Sequence, residues 1–399
     1  MSVPIASMRP AKPNALAPLH RILASAAAAL CLACPAKDPA PRFAPLQPGV
    51  DYAHDELPDV PWSIHLVRVD RSDTNLVLHS AHARGRAVGL ATLSEIVRST
   101  DAALGTPVAA VNGDFYQRDR AFAGDPRGIQ ISDGELLSAP IGGAGFWIDR
   151  AGQPHAAPLK PALAVTWPDG STTPVGLNGE RRANVAELYT PQAGRSTRAS
   201  GGREWILAPR DPGARPLLPA DAKLAFVVRE VRDDGDSPIR PGTLVLSAGA
   251  PLAARLPRVE PGAVVSISTG TQPGLDGARI AISGGPILVH EGRPQSIEST
   301  GGSYETRSMV ERHPRTALGW SPRHFFLVEV DGRQPDVSVG MTLEELGAYL
   351  ARVGCVEALN LDGGGSAMLW AGGEIRNSPC DGRERAIANA LLVLRRPRP

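Results

Sequence analysis

Ala358-Leu359-Asn360-Leu361-Asp362-Gly363-Gly364-Gly365-Ser366-Ala367-Met368 is an apolar run that closes on a carboxylate and then on three glycines. The pattern predicts a buried strand that delivers Asp362 to a rim. Behind it comes a loop whose amides, with no Cβ beside them, can approach an anionic or hydroxyl-rich ligand. A tight turn capped by its own Asp is the plainer reading of the same residues.

Immediately upstream, Thr342-Leu343-Glu344-Glu345 has the capping-box pattern and predicts a helix that runs to Gly354 and leads into the strand Cys355 to Leu361. The same order occurs much earlier. Thr92-Leu93-Ser94-Glu95 predicts a helix to Gly105, and Pro107 to Val111 predicts a strand ending on Asn112-Gly113-Asp114. Each unit follows an apolar strand with a terminal Asp, Val69-Asp70 in one case and Val330-Asp331 in the other. The expected fold class is therefore α+β, with mixed β-sheets and two strand–helix–strand units related by a weak internal duplication. Asn112 and Asp362 should then face one cleft. Ile64 to Asp70 and Asn75 to His79 alternate apolar and polar residues across a short link and predict a hairpin, and Asp133-Gly134 predicts another. Residues 150–275, with short alternating runs between Pro, Gly and Asp turns, predict a β-rich subdomain inserted between the two units.

The remaining domain expectations come from the first sixty residues. Arg9, Lys12 and Arg21 precede an apolar segment, Ile22 to Ala33, that is too short to span a membrane. We read residues 1–36 as an export signal, 37–60 as a Pro-rich tether and 61–399 as the catalytic domain, with no transmembrane helix in the mature protein. Periplasmic, secreted and outer-surface lipoprotein locations all fit, the last through a lipid anchor at Cys34. In an oxidising compartment Cys355 and Cys380 form a disulfide or stay as two thiols. The charge balance, 42 Lys+Arg against 41 Asp+Glu, gives no global field for nucleic acid.

Other clusters carry the chemistry. Gly284-Gly285 lies between apolar runs, where a backbone or a ligand comes close. Arg315 opens an apolar strand, where a buried guanidinium calls for an anionic partner such as Asp331 or Asp362. Ser366 lacks the second glycine of a nucleophile elbow, the glycine loop lacks the Lys-Ser/Thr of a nucleotide P-loop, and the nine histidines contain no H-x-x-x-H pair. Serine-hydrolase, nucleotide and common zinc-hydrolase chemistries are set aside on those grounds.

Seven motifs in order resemble the phosphodiester glycosidase family. They are Asn-Gly-Asp-Phe (112–115), Gly-Gly-Pro-x-Leu-Val (284–289), Arg-x-Pro-Arg-Thr-Ala (312–317), Val-Asp-Gly-Arg (330–333), Gly-Met-Thr-Leu-Glu-Glu-Leu (340–346), Asn-Leu-Asp-Gly-Gly-Gly-Ser (360–366) and Asp-Gly-x-Glu-Arg-x-x-Ala-Asn-Ala-Leu (381–391). The resemblance implies hydrolysis of a sugar-1-phosphodiester, of the N-acetylglucosamine type, at the anomeric carbon, on an envelope polymer or exopolysaccharide. It implies Asp362, Arg315 and Asp114 as catalytic residues. Arg315, Ser366 and the amides of Gly363, Gly364 and Gly365 would meet the phosphate. Asn112, Asp331, Asp381 and Arg385 would hold sugar hydroxyls or orient the residues that do, and Gly113, Gly284, Gly285, Thr316, Arg333 and Asn360 would complete the substrate site. No cofactor is called for, although an Asp114–Asp362 pair would also suit a divalent metal. A glycan-binding or exopolysaccharide-assembly protein without catalysis is the rival reading.

Overall fold

The run Phe325-Phe326-Leu327-Val328 is apolar on both faces, so a strand made of it has to be covered on both sides. In the computed structural model, which describes residues 40–397 apart from 86, 119–121, 212, 214, 276 and 298–306, it forms the strand His324–Val330 near the middle of an eight-stranded sheet. The sheet order is Ala44–Gln47, Val50–Leu57, Trp62–Asp70, His324–Val330, Arg315–Trp320, Glu357–Asn360, Ile287–His290 and Arg293–Pro294. Phe326 and Val328 pack outward beneath the helix Leu343–Val353, with Leu346 and Leu350 above them. Phe325 and Leu327 pack inward against a second sheet.

That second sheet has five strands, ordered Glu374–Ile375, Leu369–Ala371, Thr106–Asn112, Asn389–Arg395 and Leu76–His82. Its outer face is closed by the helix Leu93–Arg98 through Leu93, Ile96 and Val97. Both helices start on full capping boxes, Thr92 with Glu95 and Thr342 with Glu345. Each is the crossover between two parallel strands with one antiparallel strand between them. The layers run helix, sheet, sheet, helix.

A third sheet of five strands, Glu135–Ser138, Gln130–Ser132, Ile280–Ser283, Ala144–Ile148 and Pro154–Pro158, joins this sandwich to a closed seven-stranded barrel. Its Phe146 and Ile282 face the sandwich core, whereas Trp147 and Ala281 belong to the barrel core. The barrel runs from Lys160–Thr166 to Val264–Gln272, and these two strands pair to close it. The protein is thus β-rich, with helices confined to outer faces.

Several expectations need correction. The segment 37–60 is not a tether throughout, because Ala44–Gln47 and Val50–Leu57 are strands of the large sheet. The second lies near the sheet edge and is buried only at Val50 and Ala53, so its polar residues disguise it. Ile64–Asp70 and Asn75–His79 do not form a hairpin. Trp62–Asp70 pairs with Val50–Leu57 and His324–Val330, whereas Leu76–His82 crosses to the other sheet and pairs with Asn389–Arg395. Both hydrogen-bonding edges of the first strand are taken, so the Asp70–Asn75 turn becomes an arch between sheets.

The first helix stops at Arg98, short of Gly105, because the Ser99 and Thr100 hydroxyls both donate to the Ile96 carbonyl and unwind the next turn. The strand that precedes it within its own sheet is Leu76–His82, not the run ending at Val69-Asp70. The two units share a local topology; their common origin stays an expectation from the sequence. The predicted turn at Asp133-Gly134 is present, with positive φ at both residues. Cys355 and Cys380 are free thiols, one buried and one partly exposed. The 1–36 export signal and Cys34 lie outside the described residues, and among those described no helix is long and apolar enough to cross a membrane.

Candidate active site

After the strand Glu357–Asn360 the chain leaves the large sheet, and it enters the second one at Leu369–Ala371. Asp362 and the glycines are that crossing. The crossing is pinned by Asn112, which is fully buried. Its Nδ2 donates to the Asp362 carbonyl at 2.6 Å, and its Oδ1 accepts from Thr316 Oγ1 at 2.6 Å and from the Met368 amide at 3.0 Å. The Asp362 amide in turn donates to the Gly113 carbonyl at 2.9 Å. Asn112, Gly113 and Thr316 therefore form a brace behind the site, with the Asn112 and Thr316 side chains fully buried.

Asp114 and Asp362, both buried, are the two carboxyls of the cleft. Burial pushes Asp114 up to about 7, against hydrogen bonds from the Ser283 hydroxyl and the Phe115 amide, and the Asp362 charge pushes the same way. Asp362 is also raised by burial. It is opposed by the nearby Ser366 hydroxyl, the Arg118 charge, the Gly363 amide and the Arg385 charge. The two carboxyls thus differ in surroundings: Asp114 is pushed up to about 7, whereas the Arg118 and Arg385 charges favour the anion of Asp362.

The cleft has two connected halves that share Phe115, Ser308, Arg315 and Gly363. One, of about 230 Å³, is walled by Asp114, Ile129, Ala144, Ser283, Gly284 and Asn360. The buried Asn360 Oδ1 has no hydrogen-bond partner there, while its Nδ2 donates to the Gly285 carbonyl at 2.8 Å. Gly284 is needed because a Cβ would lie 2.2 Å from the Asn360 carbonyl oxygen, so the expected close approach is made by backbone.

The other half, of about 250 Å³, is lined by Arg118, His313, Arg315, Arg333, Arg385, Asp362 and the three glycines. Its field is positive. Arg315 is lowered to about 10, first by burial and then by Arg333, and His313 is lowered by burial and by the Arg315 and Arg333 charges. Arg333 donates to His313 Nδ1 at 3.3 Å. A positive pocket of this size suits a compact anion.

Several expected roles change. Arg315 makes no ion pair with Asp331 or Asp362; Nε donates to the Met341 carbonyl at 2.8 Å, and one terminal nitrogen donates to the Ser308 and Glu311 carbonyls at 2.6 and 2.8 Å. Two of the three glycine amides are already used. Gly363 donates to the Asp362 carboxylate at 2.9 Å and Gly364 to the Pro314 carbonyl at 2.8 Å, so neither is open to a phosphate. Gly365 is small for a different reason, since a Cβ there would collide with the Arg385 guanidinium.

Asp381 binds Arg385 through two hydrogen bonds of 2.9 and 2.7 Å and presents that guanidinium to the cleft. Asp331, 1% exposed, accepts from Ser63 and Ser378, lies 3.1 Å from His65 Nε2 and does not line the cleft. Ser366 lies beneath the floor with its hydroxyl buried and lacking a partner of normal geometry. Arg118 and His313 were missed by sequence reading. Arg118 sits beyond the strand end in a loop with no period, and His313 reads only as a neighbour of the Arg315 motif. A larger groove of about 1220 Å³, lined by Asp70, Arg71, Asp133, Arg323 and His324, lies at the opposite end of the Trp62–Asp70 and His324–Val330 strands, and neither of these two aspartates is buried.

Residues 227–394 match the family described as phosphodiester glycosidase. An SPbeta prophage-derived uncharacterised protein of Bacillus subtilis is 32% identical over 118 residues, which are 29% of this chain and 18% of that one. Among solved structures, a hypothetical protein from Synechocystis is 21% identical with a TM-score of 0.71, covering 90% of this chain and 64% of that one. A putative exported protein from Burkholderia pseudomallei is 24% identical with a TM-score of 0.63, covering 84% and 74%. The chain therefore spans less than two thirds of the curated relative and of the Synechocystis protein, and the two structures speak to the fold alone. The resemblance carried by the motifs holds over the matched segment: residues 227–394, which contain Asp362, Arg315 and Arg385, match the phosphodiester glycosidase family.

Proposed function

We propose that the protein is an exported hydrolase that cleaves a sugar-1-phosphodiester at the anomeric carbon, with an envelope polymer or exopolysaccharide as its substrate. The observation that carries this reading is a pair of adjoining pockets, one lined by arginines with Asp362 among them and the other walled by Asp114, whose carboxyl is pushed up to about 7 by burial. Arg118, Arg333 and Arg385 hold the phosphodiester, and the sugar enters beside Asp114 with a hydroxyl donating to Asn360 Oδ1. Asp362 acts as base or nucleophile at the anomeric carbon. Water supplies the new C–O bond, the anomeric C–O bond breaks, and a phosphate monoester leaves with its oxygen. Such a leaving group needs little protonation, which fits a site built for anion binding. Export is supported by the signal-like residues 1–36.

Hydrolysis of an N-acetylglucosamine-1-phosphate methyl ester in ¹⁸O-water should place the label in the sugar. Label in the phosphate would make the protein a phosphodiesterase and overturn the assignment. The Asp114 carboxyl adds a second expectation. A carboxyl with its pKa near 7 is protonated below that pH and loses its proton above it, so kcat/KM should fall as pH rises through about 7. Asp114→Asn, which cannot titrate, should remove that limb of the profile. An unchanged limb in the variant would assign it to another group.

A further inference from the structure

Outside the cleft, the inner face of the large sheet contains a buried carboxyl with no hydrogen-bond partner of normal geometry. Glu329 is fully buried, and neither of its carboxylate oxygens makes a hydrogen bond of normal geometry. An ionised carboxylate in that position costs several kcal/mol. A proton or a cation has to resolve the conflict.

The surroundings favour a cation. His65 is the cross-strand partner of Glu329, and Asp331 lies two residues further along the same strand direction. One ligand atom from each of His65, Glu329 and Asp331 lies within 4.8 Å of the others, and all three residues are buried. Donors at about 2.1 Å from a central ion are at most about 4.2 Å apart, so the set needs only a small contraction. The Tyr52 hydroxyl lies 2.7 Å from His65 Nδ1. When Nδ1 donates to it, the Nε2 lone pair is left facing the two carboxylates. That is the second hydrogen bond that metal-bound imidazoles usually make. His54 stacks on the same ring at 4.3 Å and holds its plane.

We propose that His65, Glu329 and Asp331 bind one divalent first-row transition-metal ion. One imidazole nitrogen with two carboxylates suits Zn²⁺ or Mn²⁺ better than Ca²⁺ or Mg²⁺, which prefer all-oxygen sets. The ion has a structural task. The other oxygen of Asp331 accepts from the Ser378 amide at 2.8 Å, and Arg333, two residues on, lines the positive half of the cleft. An ion here ties the sheet to the segment that carries Asp381 and Arg385. The site does not depend on which reaction the cleft performs.

Protein stripped with chelator should take up one Zn²⁺ or Mn²⁺ per chain in isothermal titration, with a rise in melting temperature, and should respond to neither Ca²⁺ nor Mg²⁺. Glu329→Gln keeps the shape and removes the charge, so it should fold and bind about 100-fold more weakly. His65→Gln supplies the same test at a second ligand should the first variant be unstable. Equal uptake by wild type and both variants would assign the metal to surface groups and overturn the proposal. No uptake by the wild type would overturn it too and would leave Glu329 as a buried neutral acid.

Discussion

Asp362→Asn is expected to lower kcat by at least about 10²-fold while the protein folds as before, because the change keeps size and one acceptor but removes the negative charge. The fold should tolerate it well. Burial raises the Asp362 carboxyl, so its ionised form is not what the packing prefers. The hydrogen bonds that anchor the crossing use the residue's backbone, with its amide on the Gly113 carbonyl and its own carbonyl accepting from Asn112. Substrate affinity should change little, since the arginines of the positive half remain. Single-turnover kinetics with the sugar-1-phosphodiester separate the two quantities. A variant with near-normal kcat would remove Asp362 from the chemistry while leaving the cleft as described.

The second large effect is expected in stability. Asn112→Ala removes one fully buried side chain that satisfies the Thr316 hydroxyl, the Met368 amide and the Asp362 carbonyl together. Each buried group left unpaired costs about 1–3 kcal/mol, so the loss should come to about 3–5 kcal/mol after partial relaxation. Denaturant unfolding monitored by tryptophan fluorescence would measure it. A loss below about 1 kcal/mol would show that water enters behind the crossing and takes over these bonds. Activity should fall as well, because the residue that aims Asp362 has gone.

The parts of this site that could be read in the sequence are those fixed by local chemistry. The polar end of an apolar strand put Asp362 at a rim, and two capping boxes marked both helices because a Thr with a Glu three residues on satisfies the same orphan amides wherever it occurs. Non-local competition was not legible. The bond from the Gly363 amide to Asp362 is the turn capped by its own Asp that the sequence offers, but nothing says that the Gly364 amide is spent on Pro314, fifty residues earlier, or that Arg315 finds three carbonyls in place of a carboxylate. Likewise, Ile64–Asp70 looks like half of a hairpin until Val50–Leu57 and His324–Val330 occupy its two edges.

The strand Asn389–Arg395 sits between Leu76–His82 and Thr106–Asn112, two strands that come nearly three hundred residues earlier and do not pair with each other. During synthesis, which releases the earlier strands first, their facing edges stay open until residues 389–395 have left the ribosome. The second sheet therefore cannot close until residues 389–395 have emerged, and the wall that holds Asn112 assembles only then. The delay leaves two unpaired edges open to aggregation, so slowing the emergence of Asn389–Arg395 should raise the demand for holding chaperones.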